Sequence, residues 1–164
     1  MNRRILLLGL GNEIRSDDAV GIYVVREVRK RLPQSLLATG AIQVLESEEM
    51  GLALLDYISG YEQVVLVDAV QTGKALPGFV HEFDVENLHN LPGLSPHYMG
   101  IPEVLALGRA SGLEMPEMVK IFAVEVKDPF TFSTHLTSEV ESAIPELVER
   151  VLQYIRHRME NREA

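Results

Sequence analysis

The chain has no cysteine among its 164 residues, which removes disulfides, thiolate zinc sites and a cysteine nucleophile from consideration. Serine is a poor candidate nucleophile, since Ser111 stands in Gly-Arg-Ala-Ser-Gly and Ser95 in Gly-Leu-Ser-Pro-His, and neither is the G-x-S-x-G elbow. The groups left for chemistry are carboxylates and imidazoles. Asp17 and Asp18 follow the turn Gly9-Leu-Gly-Asn12, Asp68 follows the apolar run Val64-Val-Leu-Val67, and His97 closes Ser95-Pro-His97 in a proline-bearing loop. A charge directly after an apolar run such as 64–67 is costly unless it is paired or ligated. Two carboxylates and an imidazole form an O, O, N set that suits nickel, zinc, manganese or iron, with positions left for water or a substrate ligand.

Each residue also has a plainer reading. Asp17 and Asp18 suit the start of a helix, where an acidic side chain contributes about 0.3–1 kcal/mol through the dipole. Asp68 suits a carboxylate held by loop amides, and His97 alone is an ordinary surface histidine. Of the other histidines, His81 shares a strand face with phenylalanines and reads as a core residue. His89 is a loop residue, His157 lies between Arg156 and Arg158, and His135, just before the last helix, is a candidate neighbour of the site.

The elements that must position these groups follow from periodicity. Residues 5–8 and 63–70 are apolar runs of the kind buried on both faces of a parallel sheet, and 42–46 and 120–126 add two further strands. Gly9 and Gly11 free the backbone to turn, and Asn12 tolerates a left-handed conformation there. Ser16 is the expected N-cap of a helix over 17–32 that Pro33 ends. A short helix is expected at 50–58 and another at 101–111, with Pro102 in its first turn. Residues 79–85 alternate, which marks an antiparallel edge strand. Ser138 with Glu141 reads as a capping box for a C-terminal helix reaching 159, kinked or restarted at Pro145. The expected fold is an α/β single-domain three-layer sandwich over 1–164: a mostly parallel five-stranded twisted sheet with one antiparallel edge strand and helices on both faces. In such sheets ligands bind beyond the carboxyl ends of the strands, where Asp17 and Asp18, Asp68 and His97 are expected.

Composition narrows the partners. A formal net charge of −9 offers no general attraction for nucleic acid or anionic lipid. No apolar run is long enough to cross a membrane, and the N-terminus enters a strand directly, so a cytoplasmic protein is expected. Nucleotide binding is disfavoured. Residue 14, the third glycine position of G-x-G-x-x-G, is Ile14, and two carboxylates occupy the helix start where a pyrophosphate would bind.

On these residues the sequence resembles the hydrogenase maturation endopeptidases, which trim the large-subunit precursor of nickel-iron hydrogenases. The resemblance is carried by Gly9-Leu-Gly-Asn12, Asp17-Asp18-Ala-Val-Gly21, Val67-Asp68-Ala69, Ser95-Pro-His97 and Leu136-Thr-Ser-Glu-Val140, in order over nearly the whole chain. It implies an endopeptidase that removes the C-terminal extension of the precursor after nickel insertion. Asp18, Asp68 and His97 would contact nickel carried by the substrate, and Asp18 or Asp68 would be the proton acceptor. Many relatives have glutamate where Asp18 stands. There are two rival readings: a non-enzymatic nickel-binding maturation chaperone that uses the same three residues, and a nucleotide-binding α/β module that rests on the Gly9-Leu-Gly11 turn alone.

Overall fold

Strands β1 (Ile5–Leu10) and β3 (Gln63–Val70) are buried at every position, as apolar runs must be when both faces of a sheet are covered by helices. The computed structural model describes residues 4–86 and 100–163. With β2 (Ile42–Ser47), β4 (Val80–Asp84) and β5 (Met118–Glu125) these strands form one sheet in the order β2-β1-β3-β5-β4. The first four are parallel, and β4 runs antiparallel to β5 at the edge. This is the expected architecture.

Helices α1 (Val20–Arg31) and α5 (Ser138–Glu163) cover one face, where Val24 and Val28 meet Leu147 and Val151 over Leu7, Val65 and Phe122. Helices α3 (Leu55–Ile58) and α4 (Ile101–Ala110) cover the other, with Ile58, Val104 and Leu105 over Leu6, Leu66 and Ile121. The short α2 (Gln34–Ala38) follows Pro33 and had no counterpart in the sequence reading. Leu36 and Leu37 rest partly buried against the core, but five residues are too few to show a helical period in the sequence.

Five local expectations are corrected. The segment after β1 is first a 3-10 turn, Ser16–Ala19, and only then α1. Ser16, not Asn12, takes the left-handed backbone conformation, at φ 43°. Ser16 does not cap the helix, because its hydroxyl donates to the His135 carbonyl at 2.9 Å. At α5, Ser138 is already helical, and the Thr137 hydroxyl that would cap it donates to Asp17 instead. Pro145 neither restarts nor ends α5. It removes the partner of the Glu141 carbonyl, but both residues face solvent, where water can replace the lost bond. No helix among the described residues is long and apolar enough to cross a membrane.

Candidate active site

From β1 the chain crosses to β2 on one side, and β3 lies on the other side of β1. The crevice beyond the carboxyl ends of β1 and β3 is therefore the switch point at which an open α/β sheet binds its ligands. Sequence places a carboxylate on each side of it.

Asp68 lies on β3 itself, two residues before the strand ends, and is fully buried. By strand alternation it shares a face with Val64 and Leu66, the face that carries α4. It pairs in register with Ala123 of β5. Its Oδ1 accepts the N–H of Ala69 at 2.8 Å, which sets the plane of the carboxylate.

Asp18 is brought to the crevice by glycines. A side chain at Gly21 would meet the Val67 carbonyl at 2.3 Å and the Leu10 carbonyl at 2.5 Å, so only glycine lets the first turn of α1 sit directly on the ends of β1 and β3. Gly11, at φ +147°, lies equally close to the backbone of Asp18. The 3-10 turn that bears Asp18 consequently packs against β3. Asp18 is half-buried there, open to solvent where Asp68 is not.

Asp17 has a different task. It is fully buried, and its carboxylate accepts from four groups. The backbone N–H groups of Lys127 and Asp128 reach Oδ2 at 3.1 and 2.9 Å, the N–H of Thr137 reaches Oδ1 at 2.7 Å, and the Thr137 hydroxyl lies 2.9–3.0 Å from both oxygens. Asp17 thus ties the 3-10 turn to the loop after β5 and supplies, from a distant part of the chain, the anionic cap of α5. Ser16 N–H to the Ser133 carbonyl (2.9 Å) and Ser133 N–H to the Ile14 carbonyl (3.1 Å) complete the seam. Adjacent in sequence, the two aspartates differ in burial: Asp17 is enclosed and bound to the loop after β5, whereas Asp18 is half-buried on the same turn. The only hint of this in the sequence was the Leu136-Thr137-Ser138 segment, whose partner sequence alone does not identify.

A further buried carboxylate, Glu125 at the end of β5, was not singled out from the sequence. It accepts from the Thr72 N–H and hydroxyl (both 2.8 Å) and the Gly73 N–H (2.9 Å), and His81 Nε2 lies 2.9 Å away. Burial pushes its carboxyl up, but these hydrogen bonds outweigh it and hold the group below the usual glutamate range. His81 packs between Phe79 and Phe83, the satisfied position expected of it. His135 offers its backbone carbonyl to Ser16, and its ring lies on an exposed residue. His157 pairs with Asn161 on the outer surface of α5.

His97 and His89 lie outside the described residues. Among the described residues no three histidine, aspartate or glutamate side chains gather as a metal-binding group. Asp18 and Asp68 both stand toward the carboxyl edge of the parallel strands, and α4 begins at that same edge. Its far end lies by the start of β3, where the Glu114 carbonyl accepts from the Gly60 N–H, and ten residues of helix span about 15 Å.

A family model for hydrogenase maturation proteases (HycI) matches residues 4–154. The hydrogenase 2 maturation protease of Escherichia coli is 29% identical over 157 residues, covering 93% of this chain and 91% of that protein. The solved structure of the hydrogenase maturating endopeptidase HybD from E. coli resembles this fold with a TM-score of 0.77 at 28% identity, over 94% of this chain and 93% of that one. The [NiFe] hydrogenase maturation protease HybD from Thermococcus kodakarensis does so with a TM-score of 0.69 at 25% identity, over 92% and 98%.

Proposed function

The chain belongs to the hydrogenase maturation protease family and is a peptidase, and on that premise we propose that it removes the C-terminal extension of the nickel-iron hydrogenase large-subunit precursor, in the cytoplasm, after nickel insertion. The nickel is part of the substrate, and Asp18, Asp68 and His97 are the groups that test for it. A site with three protein donors and open positions holds an ion weakly. It gains affinity when the precursor's own ligands complete the coordination shell, so an unloaded precursor is passed over.

The observation that supports this reading is that the 3-10 turn bearing Asp18 packs against β3, the strand bearing Asp68, beside the β1–β3 switch point, while Asp17 is bound to Lys127, Asp128 and Thr137. His97 stands four positions before Ile101, where α4 begins on the face that carries Asp68. In hydrolysis, water adds to the scissile carbonyl carbon as its proton passes to a carboxylate. That carboxylate then returns the proton to the leaving amine, so that amide and water give an acid and an amine. The half-buried position of Asp18 is accessible to both water and peptide, whereas the buried Asp68 suits a fixed ligand.

The test is to incubate the chain with nickel-loaded and nickel-free precursor and weigh the products by mass spectrometry. The expected result is truncation of the loaded form alone. Intact loaded precursor in stable complex with the chain would instead identify a nickel chaperone.

A further inference from the structure

Resting on the peptidase reading, we propose that the precursor docks as a folded protein, not by its tail alone, on an apolar and acidic rim around the two carboxylates, with Phe130 and Phe132 as the principal contacts.

Among the described residues ten large hydrophobic side chains are exposed. They are not scattered. Ile14 follows β1, Met50 and Leu52 follow β2, Leu76 follows β3, and Phe130 and Phe132 follow β5, all at the carboxyl edge of the parallel strands. Phe79 enters the antiparallel β4 at the same edge. Only Leu107, Leu113 and Met118 lie toward the opposite end. Scattered single apolar residues need no explanation, but a concentration of them around one site marks an interaction surface.

The two phenylalanines are the clearest members. Phe130 is 67% and Phe132 81% exposed, yet the loop that bears them is held firmly. Asp128 Oδ1 accepts the N–H groups of Phe130 (3.0 Å) and Thr131 (2.9 Å), Asp17 binds the N–H groups of residues 127 and 128, and Ser133 is stitched to Ile14 and Ser16. Aromatic rings displayed on a pre-ordered backbone are the usual anchors of a protein interface, because little conformational entropy is lost when they are buried.

Width and charge identify the occupant. From β2 to β4 the rim spans four strand spacings, about 19 Å, a length that about six extended residues would run but only in a strip about one strand spacing wide. The apolar side chains come from both faces of the sheet, Leu52 from the turn packed on α4 and Phe130 and Phe132 from the loop tied to the start of α5, so a partner that buries both flanks is folded. The chain carries a net charge of −9; in the loops after β1 and β2 Glu13 is paired with Arg26, and the exposed Glu48 and Glu49 stand against the exposed Arg15. The matching surface of the precursor around its tail is accordingly apolar and basic.

The experiment measures steady-state cleavage of nickel-loaded precursor by a Phe130→Ser/Phe132→Ser variant and by a Leu107→Ser/Leu113→Ser control, which alters comparably apolar surface at the far end. The rim variant is expected to raise KM about tenfold or more with kcat within about twofold, and the control to leave both unchanged. Should the double variant fold poorly, Phe132→Ser alone is expected to raise KM in the same way. An unaltered KM in the rim variant, or an equal rise in the control, overturns the inference while the peptidase reading stands. A wild-type chain that cleaves no precursor overturns both. A concentration-dependent dimer that the rim variant dissolves would make this face a contact between copies of the chain, and would also overturn the inference.

Discussion

Replacing Asp17 with asparagine separates the two adjacent aspartates more sharply than any other single change. The carboxylate takes three backbone N–H groups and one hydroxyl, all inside the protein. An amide presents one oxygen and one NH2. In its better orientation the oxygen keeps the N–H groups of Lys127 and Asp128, and the NH2 is turned against the N–H of Thr137. That donor is then buried without an acceptor, at about 1–3 kcal/mol, and the two surviving bonds fall from charge-assisted to neutral, at about 0.5–1 kcal/mol each. The expected loss is about 3 kcal/mol. In a domain of this size it lowers Tm by about 6–12 °C. Thermal unfolding followed by circular dichroism measures it directly. Asp18→Asn, at a half-buried position on the crevice rim, is expected to leave Tm within about 2 °C of wild type and to abolish processing. If Asp17→Asn unfolds within 2 °C of wild type, the seam between the 3-10 turn and α5 is not what holds this edge together, and the division of labour argued for the pair is wrong.

Gly21→Ala places a methyl group against the Val67 and Leu10 carbonyls and should cost about 1–3 kcal/mol as α1 is pushed off the sheet. Processing should fall with it as the turn bearing Asp18 moves, and a variant with wild-type stability and activity would refute the close approach. His97→Ala is expected to keep the wild-type Tm while losing cleavage of nickel-loaded precursor, and an active variant removes His97 from the proposed site. Glu125 is held below the ordinary value of 4.5. Its contribution to stability is therefore complete above that pH and lost as pH falls through its folded value. Glu125→Gln should destabilise the chain at pH 7 and show a smaller further drop in Tm between pH 5 and pH 3 than wild type. Parallel pH curves for the two proteins would mean that the Thr72, Gly73 and His81 bonds do not stabilise the charged form.

The strands, their parallel arrangement and the edge position of β4 could be read from the chain because burial on two faces, or on one, leaves a hydrophobic period in the local sequence. The candidates Asp18 and Asp68 could be named for local reasons: Asp68 follows an apolar run in which a charge has to be accounted for, and Asp18 follows the glycine turn at the end of the first strand. What could not be read was the fate of Asp17, the missing cap on Ser16, the continuity of α5 through Pro145 and the role of Glu125. The continuity of α5 depends on solvent reaching the Glu141 carbonyl, and the other three depend on partners far away in sequence, at residues 127–137 for Asp17, at 135 for Ser16 and at 72–81 for Glu125. Local propensity carries no record of such partners. By itself, then, the sequence determined which segments form the sheet and which residue types are available for chemistry, since those follow from composition and period. Only the tertiary structure decided that Asp17 is spent on holding the fold, because hydrogen-bond donors 110 to 120 residues away reach its carboxylate.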